Sequence, residues 1–239
     1  SYVAVKAGYV TKKDTISVTE DTEKTITMEK APESTRKDVS AAWKNFRNSD
    51  DNMGITSAKT PTSEATTYEK WFKKLGSGWG AAPSVQIIVD NSLIVMSANH
   101  IYKLDLNTGD ILQTGDMVAA TNFGYTPPTY ADGMIFAPLA DGRVQAFNAE
   151  TLESLWVYQD TLKGQSLSPI TYSDGYIYTG FWNAETKDAN YVCIPVTDED
   201  PTNAQEAKEA AWQYTSLGGF YWAGRSEERR VGKECRSRW

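Results

Sequence analysis

Asp105, Asn107, Gly109 and Asp110 follow one another as D-x-N-x-G-D, a run of oxygen-bearing side chains that could start a calcium loop. Such a loop needs its glycine at the sixth place and a bidentate acid at the twelfth. Here the glycine comes one place early, at the fifth, and the sixth is Asp110. Asp105 is therefore expected to close an Asx-type turn, and the matching stretch Asn148 to Glu153 lacks the calcium pattern altogether. His100 is the sole histidine. With no second His and no paired Cys or Ser, neither a zinc site nor a Ser-His-Asp triad has support, and His100 is read as a loop residue entering a strand. Cys193 lies in the strand-like Tyr191-Val192-Cys193-Ile194 and reads as a buried structural thiol. Asp198-Glu199-Asp200 and Glu206-Ala207-Lys208-Glu209 form an acidic insertion, expected to be solvated surface with at most weak affinity for a cation. No catalytic residue and no metal or cofactor ligand set is expected.

The chain that must position these groups has 239 residues, 40% of them hydrophobic and 23% charged. That composition excludes disordered, collagen-like and low-complexity classes. No apolar run approaches the ~18 residues needed to cross a bilayer, and no signal peptide is visible at the N-terminus. A net charge of −7 with pI ≈ 4.9 argues against nucleic acid or an anionic membrane as partner. Residues 225–239, RSEERRVGKECRSRW, have no strand or helix period and resemble a one-frame translation of a common short-read sequencing adapter. They are set aside as a non-native tail; the alternative is a basic tail for an acidic partner. The tail's six basic and three acidic residues give it +3, so the rest of the chain carries −10 and Cys193 is its one cysteine. One cysteine makes no internal disulfide and no thiolate metal site. On this reading the chain is a fragment.

Three stretches at the start alternate apolar and polar residues as half-buried strands do: Tyr2 to Lys6, Thr15 to Val18 and Thr25 to Met28. Residues 33–67 are rich in Ser, Thr, Asp, Asn and Lys and read as a linker, with a short helical turn expected over Ala41 to Phe46 after Asp38 and Ser40. The linker is expected to lie across a neighbouring surface. From about residue 68 a repeat begins. The turn dipeptides Asp90-Asn91, Asp132-Gly133 and Asp174-Gly175 recur 42 residues apart, each between two strand-like runs and each followed by a third and a fourth. Four short antiparallel strands per 40–45 residues is the period of a β-propeller blade; an unclosed β-meander is the plainer alternative.

The strings DGMIFAPLADGRVQAFNAETLESLWVY and DNSLIVMSANHIYKLDLNTGDIL resemble the PQQ-like (quinoprotein-type) propeller repeat over about Trp71 to Gly224. The outer-strand Trp of that repeat stands at Trp156 and Trp212, and Gln113 departs from it. VKAGYVTKKDTISVTEDTEKTITM resembles the last strands of a PEGA-like or carboxypeptidase-regulatory-like β-sandwich module of bacterial surface proteins. The organisation expected is thus all-β: residues 1–32 a partial sandwich module, 33–67 a linker, 68–224 an incomplete propeller of about three four-stranded blades, and 225–239 the tail. Tyr68 to Leu75, with Trp71 in the place of Trp156, is expected to be the outer strand of a last blade, and three units cannot close a ring.

A quinoprotein dehydrogenase, as the resemblance has it, holds a quinone, a calcium ion bound by Glu, Asn and Asp, and an Asp base, often beside a vicinal disulfide. The sequence assembles none of these, so no cofactor is expected. In a four-stranded blade the loops between second and third strands share a face with the connections to the next blade. That face should carry Trp79, His100, Tyr125, Trp182, Phe220, Tyr221 and Trp222, and the acidic insertion should fall on the opposite one. Rings grouped on one loop face suit stacking on sugar or extended peptide; the alternative is that they plug gaps between blades. The function expected is a non-catalytic binding or scaffold module, with a glycan or protein ligand, at the surface of a bacterial cell or outside it. The alternatives are a quinoprotein-type oxidoreductase or another enzyme whose site lies in blades outside this chain, and an assembly scaffold resembling the outer-membrane-complex propellers.

Overall fold

A computed structural model describes residues 1–121 and 126–221. The 42-residue spacing fixes the fold through its turns. Asp90 and Asn91, Asp132 and Gly133, and Asp174 and Gly175 all take positive φ, between 49° and 80°. Two successive left-handed residues make the tight hairpin turn whose twist matches the flanking strands. Each turn joins the first and second strands of an antiparallel sheet.

The strands run in chain order as β1 (Tyr2–Ala4), β2 (Lys12–Asp14), β3 (Ala41–Trp43), β4 (Ile87–Val89), β5 (Ser92–Ser97), β6 (His100–Asp105), β7 (Ile111–Asp116), β8 (Thr129–Ala131), β9 (Met134–Leu139), β10 (Arg143–Asn148), β11 (Ser154–Gln159), β12 (Thr171–Ser173), β13 (Tyr176–Gly180), β14 (Asp188–Pro195), β15 (Glu206–Lys208) and β16 (Trp212–Leu217). Three blades follow: β4 to β7, β8 to β11, and β12, β13, β14 and β16. The fold is an incomplete all-β propeller. Between the first and second blades lie Ile87, Ile94, Met96, Ile135 and Phe147; between the second and third lie Phe136, Trp156, Ile177, Val192 and Ile194. These positions alternate along their strands, the period a sheet buried on one face requires.

Pairing register makes Gln113, Trp156 and Trp212 equivalent, opposite Lys103, Ala146 and Cys193 respectively. Trp156 is 0% exposed and its Nε1–H donates to the Val196 carbonyl of the third blade at 3.1 Å. In the first blade, where Gln113 replaces the indole, the Lys103 ammonium reaches the equivalent carbonyl, Ala149, at 3.4 Å. Trp71 Nε1–H donates to the first blade's equivalent, Leu106, also at 3.1 Å. Its ring sits so close to Gly109 (φ +74°) that a Cβ there would meet it at 2.5 Å. Trp71 thus makes toward the first blade the contact an outer-strand Trp makes toward the next, although residues 68–75 form no strand. Trp212 is 43% exposed; it stacks on Tyr191 and lies tilted against Tyr178 of its own blade, so only one of the two expected inter-blade indoles is buried.

Several local expectations are corrected. Thr15 to Val18 and Thr25 to Met28 are not strands; β1 pairs with β2 instead, and Tyr9 bridges to Lys30. Ala41 to Phe46 makes no helical turn. Its first three residues are β3, which adds to the inner edge of β4, because the backbone of this segment finds partners on both sides: the Asp90 amide donates to Ser40 and the Tyr130 amide to Lys44. Within the 33–67 segment, residues 36–44 lie against the blades through β3, the Arg36–Asp198 pair and the Val39 amide on Tyr130. The acidic insertion is not a solvated run. β15 crosses to the second blade and pairs in parallel with β11, and Asp198, Glu206 and Lys208 are buried. Non-local pairing outweighs the solvation these charges would have in an open loop. The expected Asx turn is present: Asp105 accepts from the Asn107 and Thr108 amides at 2.7 and 2.9 Å, which holds its carboxyl below the usual range; Asn148 makes the matching turn in the second blade, accepting from the Glu150 amide at 2.8 Å. The tail lies outside the described residues.

Candidate functional site

Two faces of the arc differ in chemistry. The first carries the hairpin loops between second and third strands and the connections between blades. Trp79 lies here in the 3-10 turn Trp79–Ala81, 73% exposed, and His100 opens β6 with Nδ1 3.0 Å from the Asp116 carboxylate. Trp182 follows β13, fixed by two backbone hydrogen bonds with Gln165 at 2.7 and 3.0 Å. Phe220 and Tyr221 follow β16. Tyr221 brings its ring to 5.2 Å from Trp182, whereas Phe220 turns to the outer side, against Tyr191 and Tyr214. Of the seven aromatic candidates, Trp182 and Tyr221 are in direct contact, while Tyr125 and Trp222 lie outside the described residues.

Beneath this face a buried polar chain holds the third blade's loops. Thr215 Oγ1 donates to Asn190 Oδ1 at 2.6 Å, and Asn190 Nδ2 donates to Asp160 Oδ1 at 2.8 Å. Burial, and then the neighbouring Asp160 charge, pushes the Tyr158 hydroxyl above its ordinary pKa. Such a satisfied network fixes loop geometry, so the rings above it are presented on a stiff base.

The opposite face carries the Asp-Gly turns, the loops between third and fourth strands, and the N-terminal segment, which straps across it. The Ala7 amide donates to the Tyr176 hydroxyl at 3.0 Å, the Gly8 amide to Thr197 at 2.7 Å, and the Thr11 amide to Glu199 at 2.7 Å. Arg36 pairs with Asp198 at 2.8 Å. Tyr130 donates to Asp38 at 2.6 Å while accepting from the Val39 amide. Burial and the Asp38 carboxylate push Tyr130 up to about 12, so it remains a donor at any physiological pH. Tyr172, one repeat later, donates to Asp132 of the preceding turn; Asp38 therefore stands for Tyr130 where Asp90 would stand in a strict repeat. Between strap and blades lies a cleft of about 680 Å³. Nothing local in the sequence signals it, since its walls come from residues up to about 190 positions apart.

The family model described as "Outer membrane protein assembly factor BamB" (PQQ_2) matches residues 62–185, just over half of the chain. No curated protein matches it. Similar solved structures include a europium-containing methanol dehydrogenase, with 19% identity, 60% of this chain and 27% of that chain covered and a TM-score of 0.42. Another is the quinohemoprotein alcohol dehydrogenase from Comamonas testosteroni, with 19% identity, 56% and 21% covered and a TM-score of 0.44. BamB from Moraxella catarrhalis gives 11% identity, 52% and 33% covered and a TM-score of 0.38. The chain spans a third or less of the length of each of these three.

Proposed function

Because the chain belongs to the PQQ_2 family, we propose that it is a non-catalytic binding and scaffold propeller of an extracytoplasmic bacterial protein, recognising an extended peptide on its aromatic loop face. The observation that carries this reading is the Trp182–Tyr221 pair, 5.2 Å between centroids, on the same face as the exposed indole of Trp79. Flat rings on rigid loops bury large area at low entropic cost. The family's description, an outer-membrane assembly factor, supports a protein partner and a setting beyond the cytoplasm. Among the described residues no helix is long and apolar enough to cross a membrane.

Indole fluorescence titrated with a library of extended peptides, and in parallel with oligosaccharides, tests this. Peptide binding that Trp182→Ala weakens by tenfold or more is the expected result. Saturation by a glycan alone would replace the peptide with a sugar. Stoichiometric binding of pyrroloquinoline quinone with calcium would overturn the non-catalytic reading.

A further inference from the structure

We propose that the Trp182–Tyr221 pair selects a proline-rich segment in the polyproline II conformation; this rests on the peptide reading of the loop face and names the class of peptide. The backbone brings the two rings together by a close approach. β16 leaves its sheet through Gly218 and Gly219, both left-handed at φ 78° and 58°. A Cβ at Gly219 would lie 2.7 Å from the Phe181 carbonyl oxygen and 3.2 Å from Trp182 Cα. Only glycine admits that approach, and it lets the Phe220 amide donate to the Phe181 carbonyl at 2.9 Å, which sets Tyr221 beside Trp182. Two residues beyond Trp182, Ala184 is held at φ 79°, a conformation that residues with a side chain rarely take. Such strain collects where a ligand is held.

The chemistry left open at the pair is that of ring faces and one donor. The backbone amide and carbonyl of Trp182 are both spent on Gln165, so a ligand cannot pair with them as an added strand. The Trp182 indole N–H is open to solvent and meets no acceptor among the described residues, and Tyr221 keeps 53% of its surface exposed. A proline-rich segment matches what is left. Its pyrrolidine rings lie flat on aromatic faces, its prolines have no N–H to satisfy, and its carbonyls stand outward, where one can accept from the indole. It is also extended before it binds, so little freedom is lost. The exposed charges on the two loops that hold Trp182, namely Lys163, Glu185, Lys187 and Asp188, cancel. That balance favours an uncharged ligand over an acidic or a basic one.

The test titrates three acetylated, amidated peptides of equal length against the full chain by calorimetry. One carries a run of prolines between two glycines, the second has alanine in place of every proline, and the third alternates threonine and valine to favour the β conformation. The proline peptide should bind at least tenfold tighter than the alanine one. Trp182→Phe, which keeps a ring and removes the donor, should weaken it about fivefold, and Tyr221→Ala at least tenfold. Tyr68→Ala removes an exposed ring outside the pair and should leave affinity unchanged; equal unfolding midpoints exclude a folding effect. Equal binding of the proline and alanine peptides, or preference for the threonine–valine one, would overturn the proline assignment while leaving the peptide reading in place. No binding of any of the three, or a loss in Tyr68→Ala equal to that in Tyr221→Ala, would overturn the site.

Discussion

Trp156→Ala is expected to lower the unfolding free energy by about 3–5 kcal/mol, the cost of emptying a fully buried indole site. The side chain is 0% exposed between the second and third blades, and its ring lies 5.8 Å from Phe136. Truncation also leaves the Val196 carbonyl without its indole donor, an added penalty for a buried acceptor. Trp212→Ala, at the equivalent register position but 43% exposed, should cost well under half as much. Urea unfolding of the two variants measures the contrast. Equal losses would show that blade packing does not distinguish them.

Lys208→Met should cost a comparable amount, about 3–5 kcal/mol, because it breaks a buried ion cluster by removing one partner. The ammonium is 0% exposed and pairs with Glu199 at 2.7 Å and Glu206 at 2.9 Å, with a third bond to the Thr197 carbonyl at 2.6 Å. Both carboxylates would be left in the interior without a counter-charge. Adding Glu206→Gln should recover part of the loss. Glu199 also ties this cluster to the strap through Thr11. Burial pushes the Glu199 carboxyl up, but hydrogen bonds from Lys208 and Thr11 outweigh it, and the net pKa falls below the usual value. Its contribution is therefore complete above the unfolded carboxyl's pKa of about 4.3 and is lost as pH falls through the lower folded value. Hydrogen exchange at the Thr11 amide, followed from pH 6 to pH 3, should show the strap loosening in that window; protection unchanged to pH 3 would refute the coupling.

The blades were legible in the sequence because every signal for them is local. Asp132-Gly133 and Asp174-Gly175 encode a turn in two residues, and the strands on either side alternate over six. The Asx turn at Asp105 was read for the same reason. The strap was legible only as a segment without a core of its own. Ala41, Ala42 and Trp43 have no strand pattern of note; they become β3 because β4 offers an open inner edge. The burial of Glu206 and Lys208 was unreadable, since the sequence shows alternating charges and the partners Glu199, Thr197 and β11 are assembled from elsewhere. On the loop face, topology predicted which aromatics share an end of the blades but not which would touch. Trp182 meets Tyr221 because the Gln165 bridge and the turn after β16 bring those two backbones together, a pairing with no sequence period.

The parallel seam between β11 and β15 also sets an order of events. Trp156 sits opposite Glu206, so the second blade's outer edge is translated about 50 residues before the strand that covers it. At roughly 5–20 residues per second, that edge waits several seconds with its backbone groups unmatched, a period in which another chain's strand could take the place. The strap waits longer still: Gly8 and Thr11 find Thr197 and Glu199 only when nearly two hundred further residues exist. The strap, made well before the strands it ties to, is among the last segments to be fastened, so chaperone protection during synthesis would matter most for residues 1–40.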